Sequence, residues 1–190
     1  SHHVVYSVLQ FATTVIPMNR RLLKYILLFV IPITSANPAY QQCQDSLKLG
    51  DYSKAEDVCQ QSLLSVTEGS SYELEILLRL MDIYLHIQNP EKQTNIIEQA
   101  KNHPKFETNL KAQYDWHRNV GQKYYLNADY EQSKTHLQFA FNIAQKHNKQ
   151  EWLSKSHNDM GLVELKLGDY KSALIHYQQS LELKQQLGTG

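Results

Sequence analysis

The stretch Leu167-Gly168-Asp169-Tyr170-Lys171-Ser172-Ala173 has a near copy at Leu49-Gly50-Asp51-Tyr52-Ser53-Lys54-Ala55. Leu126-Asn127-Ala128-Asp129-Tyr130-Glu131-Gln132-Ser133 follows the same grammar, and Ile87-Gln88-Asn89-Pro90-Glu91-Lys92-Gln93 is a degenerate fourth copy. Each lies between segments with apolar residues at helical spacing, such as Leu74, Leu77, Leu78, Met81, Tyr84 and Leu85. Gly or Asn followed by Asp ends one helix and caps the next. The tyrosine is expected to lay its ring over the joint. The small residue three positions on (Ala55, Ser133 or Ala173) lets the two helices approach. Gly121 and Gly161, ahead of their turns, do the same from the first helix. The unit is a helical hairpin, and because one hairpin cannot bury its own apolar face, the copies must stack.

Aligning the copies brings Cys43, Met81, Gly121 and Gly161 into register, 38, 40 and 40 residues apart. The pattern resembles the tetratricopeptide repeat family, whose minimal unit is about 34 residues. In residues 154–187, Gly161, Gly168, Tyr170, Ala173 and Tyr177 fall where that family places them. In residues 114–147, Gly121, Tyr124, Tyr130 and Ala140 match, with Ser133 and Leu137 as tolerable replacements. Residues 38–69 match mainly through Gly50, Tyr52 and Ala55, and residues 74–104 only weakly. The resemblance implies an all-α, right-handed α-solenoid of about four hairpins over residues 37–190. It also implies a concave groove for a protein or peptide, lined by first-helix side chains. The groove candidates are Asp82, Asp115, Arg118, Gln122, Tyr125, Lys155, Asn158 and Lys166, each weighed equally against an ordinary solvated helix face.

Composition agrees. The 190 residues include only seven glycines and five prolines, too few for a turn-rich β-sandwich, and 42% hydrophobic content excludes a disordered chain. The 19 basic and 19 acidic residues balance, which argues against nucleic acid as a partner. The balance conceals a break, because residues 1–36 contain Arg20, Arg21 and Lys24 but no acid, leaving the remainder mildly acidic.

That N-terminal part divides in two. Residues 1–17 read as an extension ahead of an initiator at Met18. Residues 18–36 read as a signal peptide: basic residues, the apolar run Tyr25–Ile33, then Thr34-Ser35-Ala36, with cleavage after Ala36. An uncleaved anchor or a buried helix is the competing reading. A lipoprotein is disfavoured, because no lipobox precedes Cys43. Export to a Gram-negative periplasm is the expectation, with membrane contact only through this signal or a transmembrane segment beyond the chain.

Cys43 and Cys59 lie about eight residues either side of the first turn, so an antiparallel hairpin sets them opposite one another. With an export signal this predicts a disulfide, the alternative being two buried thiols. His117 and His157 are equivalent one repeat apart, as are His136 and His176. A metal or pH-sensing ladder competes here with simple repetition of a structural motif, which explains the same spacing more cheaply. No HExxH, P-loop, GxSxG or dinucleotide fingerprint occurs, so neither catalysis nor a cofactor or metal is expected. The chain also resembles the exported tetratricopeptide sensor regions that precede a transmembrane helix and a GGDEF diguanylate cyclase domain. No GGDEF sequence is present. Residues 182–190 leave the last helix without a polar capping helix, which reads as a repeat cut short.

Overall fold

The computed structural model describes residues 37–188, and these form eight helices. They are α1 (Pro38–Lys48), α2 (Tyr52–Ser65), α3 (Ser71–His86), α4 (Pro90–Asn102), α5 (Leu110–Leu126), α6 (Tyr130–Lys146), α7 (Gln150–Leu167) and α8 (Tyr170–Leu187). Consecutive helices pair as four hairpins, each packed on the next. The signal-peptide reading and the 1–17 extension fall outside the described residues.

The turns repeat in chemical detail. Asp51, Asn89, Asp129 and Asp169 each accept the backbone N–H three residues on, capping the second helix of their hairpin. Just ahead of each cap sits a left-handed residue: Gly50 (φ 73°), Gln88 (52°), Ala128 (61°) and Gly168 (84°). In the last three hairpins the cap N–H reaches back to close the first helix, donating to the carbonyls of Tyr84, Tyr124 and Glu164. In the third hairpin the left-handed position is therefore Ala128 and not Asn127, whose φ is −86°. An alanine there costs about 1 kcal/mol relative to glycine. The six-residue closure and the Asp129 cap fix it in place.

Ala55, Ser133 and Ala173 are buried where the paired helices touch. A Cβ on Gly121 would lie 2.6 Å from Leu137 Cγ, and one on Gly161 would lie 2.9 Å from Tyr177 Cε1. The turn tyrosines divide. Tyr52 stacks on His86 with centroids 4.3 Å apart and Tyr130 meets Tyr125 edge-on, but Tyr170 is 69% exposed.

Helix α3 is the keystone. Leu74, Ile76, Leu77, Leu78, Leu80, Met81, Ile83 and Tyr84 are all buried, so the apolar surface is wider than the single stripe read from the sequence and leaves one polar face, with Glu75, Arg79 and Asp82. Each such side chain contributes about 1.5–3 kcal/mol. Ser70 caps α3 by accepting the Glu73 N–H, and the Glu73 carboxylate accepts from the Gly69 N–H, one residue ahead of the cap. Cys43 and Cys59 pin α1 to α2 at disulfide distance, Cα to Cα 4.5 Å, beneath this core.

Toward α8 the interior becomes smaller and more polar. Ser154 and Ser180 exchange hydroxyl-to-carbonyl hydrogen bonds across α7 and α8 at 3.2 and 2.8 Å. The outer face of α8 leaves Leu174, Ile175 and Leu181 exposed.

Candidate functional site

The first helices of the last three hairpins set polar residues at a constant 40-residue offset: Arg79 on α3, Asn119 on α5 and Asp159 on α7. Asn119 and Asp159 carry their polar groups to partners on neighbouring helices. Asp159 is 4% exposed and accepts two hydrogen bonds from the Arg118 guanidinium, through Nε and through Nη2 at 3.4 Å. Burial works against charge on Arg118, but the Asp159 charge and hydrogen bond outweigh it and hold the guanidinium protonated. Asn119 links α4 to α3, accepting from Gln93 and donating to Asp82 Oδ1 at 3.1 Å.

Beside this row runs a cleft of about 640 Å³. Its charged floor holds Arg79, Asp82, Arg118 and Asp159, and Gln122, Tyr125, Leu85, Leu126 and Leu162 flank it. Tyr52 and Leu47 close the end nearest α1. A smaller recess of about 260 Å³ continues toward the helix N-termini, between Asp82, Asp115, Arg118, Lys155 and Trp152. Together the two make a groove that is apolar along one edge and charged along the other.

The Asp82 carboxyl is held above the ordinary carboxylate range. Solvent reaches its side chain (41% exposed), but packing between its own helix and α5 limits the dielectric relief of water. Burial first, and the Asp115 carboxylate second, push its pKa up; Arg79, Arg118 and the Asn119 amide oppose this without cancelling it.

Of the eight groove candidates, Asp82, Arg118, Gln122 and Tyr125 line the main cleft, and Asp115 and Lys155 line the recess. Asn158 is half-buried and Lys166 exposed, and neither borders either cavity. The sequence reading missed Arg79 and Asp159. The legible signal was the 79–119–159 offset, a polar residue recurring at equivalent positions of three successive first helices.

The histidines form pairs across their hairpins. His117 Nδ1 lies 3.4 Å from His136 Nδ1, and His157 Nδ1 lies 2.8 Å from His176 Nδ1. Each pair is wrapped by aromatic rings, Trp116 and Phe139 around the first and Phe141 around the second. Burial first and the neighbouring imidazole second hold His117 and His157 down to about 4, so both are neutral at pH 7. Among the described residues no group of three or more His, Cys, Asp or Glu is placed to hold a metal ion.

Residues 113–186 match the family model described as tetratricopeptide repeat. No curated protein sequence matches the chain. Among solved structures, the fold is shared with the Signal Transduction ATPase with Numerous Domains (STAND) protein with a tetratricopeptide repeat sensor from Pyrococcus horikoshii. The TM-score is 0.66 at 18% identity, over 79% of this chain and 23% of that one. It is shared also with apo PlcR of Bacillus thuringiensis, at TM-score 0.61 and 19% identity, over 83% of this chain and 62% of PlcR. MamA of RS-1, as a double mutant, gives TM-score 0.54 at 20% identity, over 80% and 77% of the two chains. The chain thus spans less than two thirds of the length of the first two. At these identities the likeness establishes the all-helical repeat fold.

Proposed function

We propose, with the tetratricopeptide-repeat match of residues 113–186 as premise, that this protein is a binding module. It holds a peptide or protein segment in the groove between its first helices. The observation that carries the reading is the groove itself. It is continuous across α3, α5 and α7, with Leu85, Leu126 and Leu162 on one edge and a hydrogen-bonded charged row on the other. Apolar side chains of a partner gain from the first edge, and polar groups find orientation from the second.

Titration of the chain with peptides, followed calorimetrically, tests the reading. Replacing Gln122 by Ala and Tyr125 by Phe is expected to weaken a bound peptide at least tenfold: Gln122 lines the cleft, and the phenylalanine keeps the ring that packs beside Leu137 and Tyr130 while removing its hydroxyl. Peptide binding that ignores both substitutions would remove the groove from the account.

Export belongs to the same proposal. The signal-like residues 18–36 and a cysteine pair at disulfide distance both suit an oxidising compartment, the periplasm of a Gram-negative cell. A second reading makes the module the sensory part of a membrane-bound signalling enzyme such as a diguanylate cyclase. In its favour, the STAND protein sharing this fold carries its tetratricopeptide repeats as a sensor. The coding sequence beyond Gly190 separates the two: an in-frame transmembrane segment followed by a catalytic domain supports the second, and an early stop codon removes it.

A further inference from the structure

Four cations serve five carboxylates along the charged edge of the groove. Lys155 is taken by Glu151 at 2.7 Å, and Arg118 by Asp159. Arg79 and Lys111 are left to serve three acids. Lys111 sits 2.6 Å from Asp115 and 3.4 Å from Glu75, while Arg79 stands 3.7 Å from Asp82 and 3.9 Å from Glu75. Asp82 is therefore the poorest served: its hydrogen bond comes from the neutral Asn119 amide, and Arg79 stays beyond hydrogen-bond distance.

We propose that the partner segment brings a lysine or arginine side chain to Asp82 and Asp115, with an apolar side chain beside it on Leu85 and Leu126. The proposal rests on the peptide-groove reading above and names the chemistry of the peptide. An incoming cation completes the count that the protein leaves one short, and the Leu85 and Leu126 edge takes the neighbouring apolar group. A partner carboxylate at the same place would add a sixth negative charge beside the five. The upward push on Asp82 fits a group whose ionised form is disfavoured in the free protein and relieved by a ligand, a common property of binding residues.

The test is an array of 12-residue peptides of balanced random composition, probed with the 190-residue chain, followed by affinity measurements on the peptides selected. The expected result is enrichment of Lys or Arg adjacent to Leu, Ile or Phe. Replacing that basic residue by norleucine should weaken binding about tenfold or more, and a protein carrying Asp82→Asn with Asp115→Asn should bind the two peptides alike. The norleucine arm leaves the protein untouched, so it holds even if the double variant folds poorly. Selected peptides without basic enrichment, or indifferent to norleucine, overturn the cation proposal and leave the peptide groove standing. If the wild-type chain selects no peptide at all, both fall.

Discussion

Gly121 carries the sharpest stability prediction, because two opposing effects meet there and the structure decides which wins. Gly121→Ala removes a helix-interior glycine, a gain of about 1 kcal/mol from helix propensity. Against this, the new Cβ would lie 2.6 Å from Leu137 Cγ, 2.8 Å from Cδ2 and 3.2 Å from the Leu137 backbone nitrogen. Carbon pairs rest at about 3.5–4.0 Å. Because the clash includes Cγ and the backbone, a rotamer change cannot relieve it, and α5 and α6 must move apart. Leu137 is 2% exposed and packs with Met160 and Val163, so that movement propagates to α7. Overpacking costs about 1–3 kcal/mol, and a clash that reaches the backbone belongs in the upper part of that range, about 2–3 kcal/mol.

The net expectation is a loss of about 1–2 kcal/mol, lowering the melting midpoint by about 3–6 °C in a domain of this size. Thermal and urea unfolding followed by circular dichroism would read it. The decisive comparison is the Leu137→Ala background, where the two nearest atoms, Cγ and Cδ2, are gone and only the 3.2 Å approach to the backbone nitrogen remains. There Gly121→Ala is expected to change sign and stabilise by up to about 1 kcal/mol. Gly168→Ala supplies a contrast: nothing lies within 4 Å of its Cβ position, and its φ of 84° alone predicts a loss of about 1 kcal/mol. That loss should be the same in either background. A Gly121→Ala protein as stable as wild type, or one equally destabilised without the Leu137 side chain, would refute the close-packing argument.

Two further predictions concern covalent and protonic support. Protein made in an oxidising compartment should show no free thiol at Cys43 and Cys59, and reduction should destabilise it by about 3 kcal/mol, the value for a loop near 15 residues; two titratable thiols would count against both the clamp and export. Burial and His176 hold His157 near 4 in the folded chain, against about 6.5 when unfolded, so the unfolded state takes up a proton that the fold refuses. Stability should therefore fall as pH drops from about 6.5 toward 4, by up to about 3 kcal/mol from this residue. His157→Gln should flatten that slope in pH-dependent denaturation, and an unchanged slope would show that the imidazole pair is not the source.

The hairpin architecture was legible because its determinants are local. A turn of fixed length, an Asp or Asn whose side chain caps the next helix, and small residues at close contacts all act within about ten residues. Their repetition at 38–40 residues leaves few other readings. The Cys43–Cys59 pairing was legible for the same reason, since two residues equidistant from a hairpin turn must face each other. The second repeat was legible only weakly: its turn carries Gln88 in the left-handed position, and the apolar surface of α3 covers more than the one-sided stripe that marks a surface helix.

The groove divides on similar lines. Four of the eight candidate residues border the main cleft and two the recess, because repeat-equivalent positions share a face of the solenoid. Asn158 fell outside while its neighbour Asp159 fell inside, one residue being about 100° of helix. What sequence by itself determined is the repeated hairpin, its caps, its close contacts and the surface on which a groove must lie. Only the tertiary structure decided that Arg118 reaches across a repeat to Asp159, that the histidines pair within hairpins, and that Asp82 is left underserved among its neighbours. Those outcomes depend on the angle and rotation at which one hairpin seats on the next, set by packing side chains 20–40 residues apart, which no local pattern encodes.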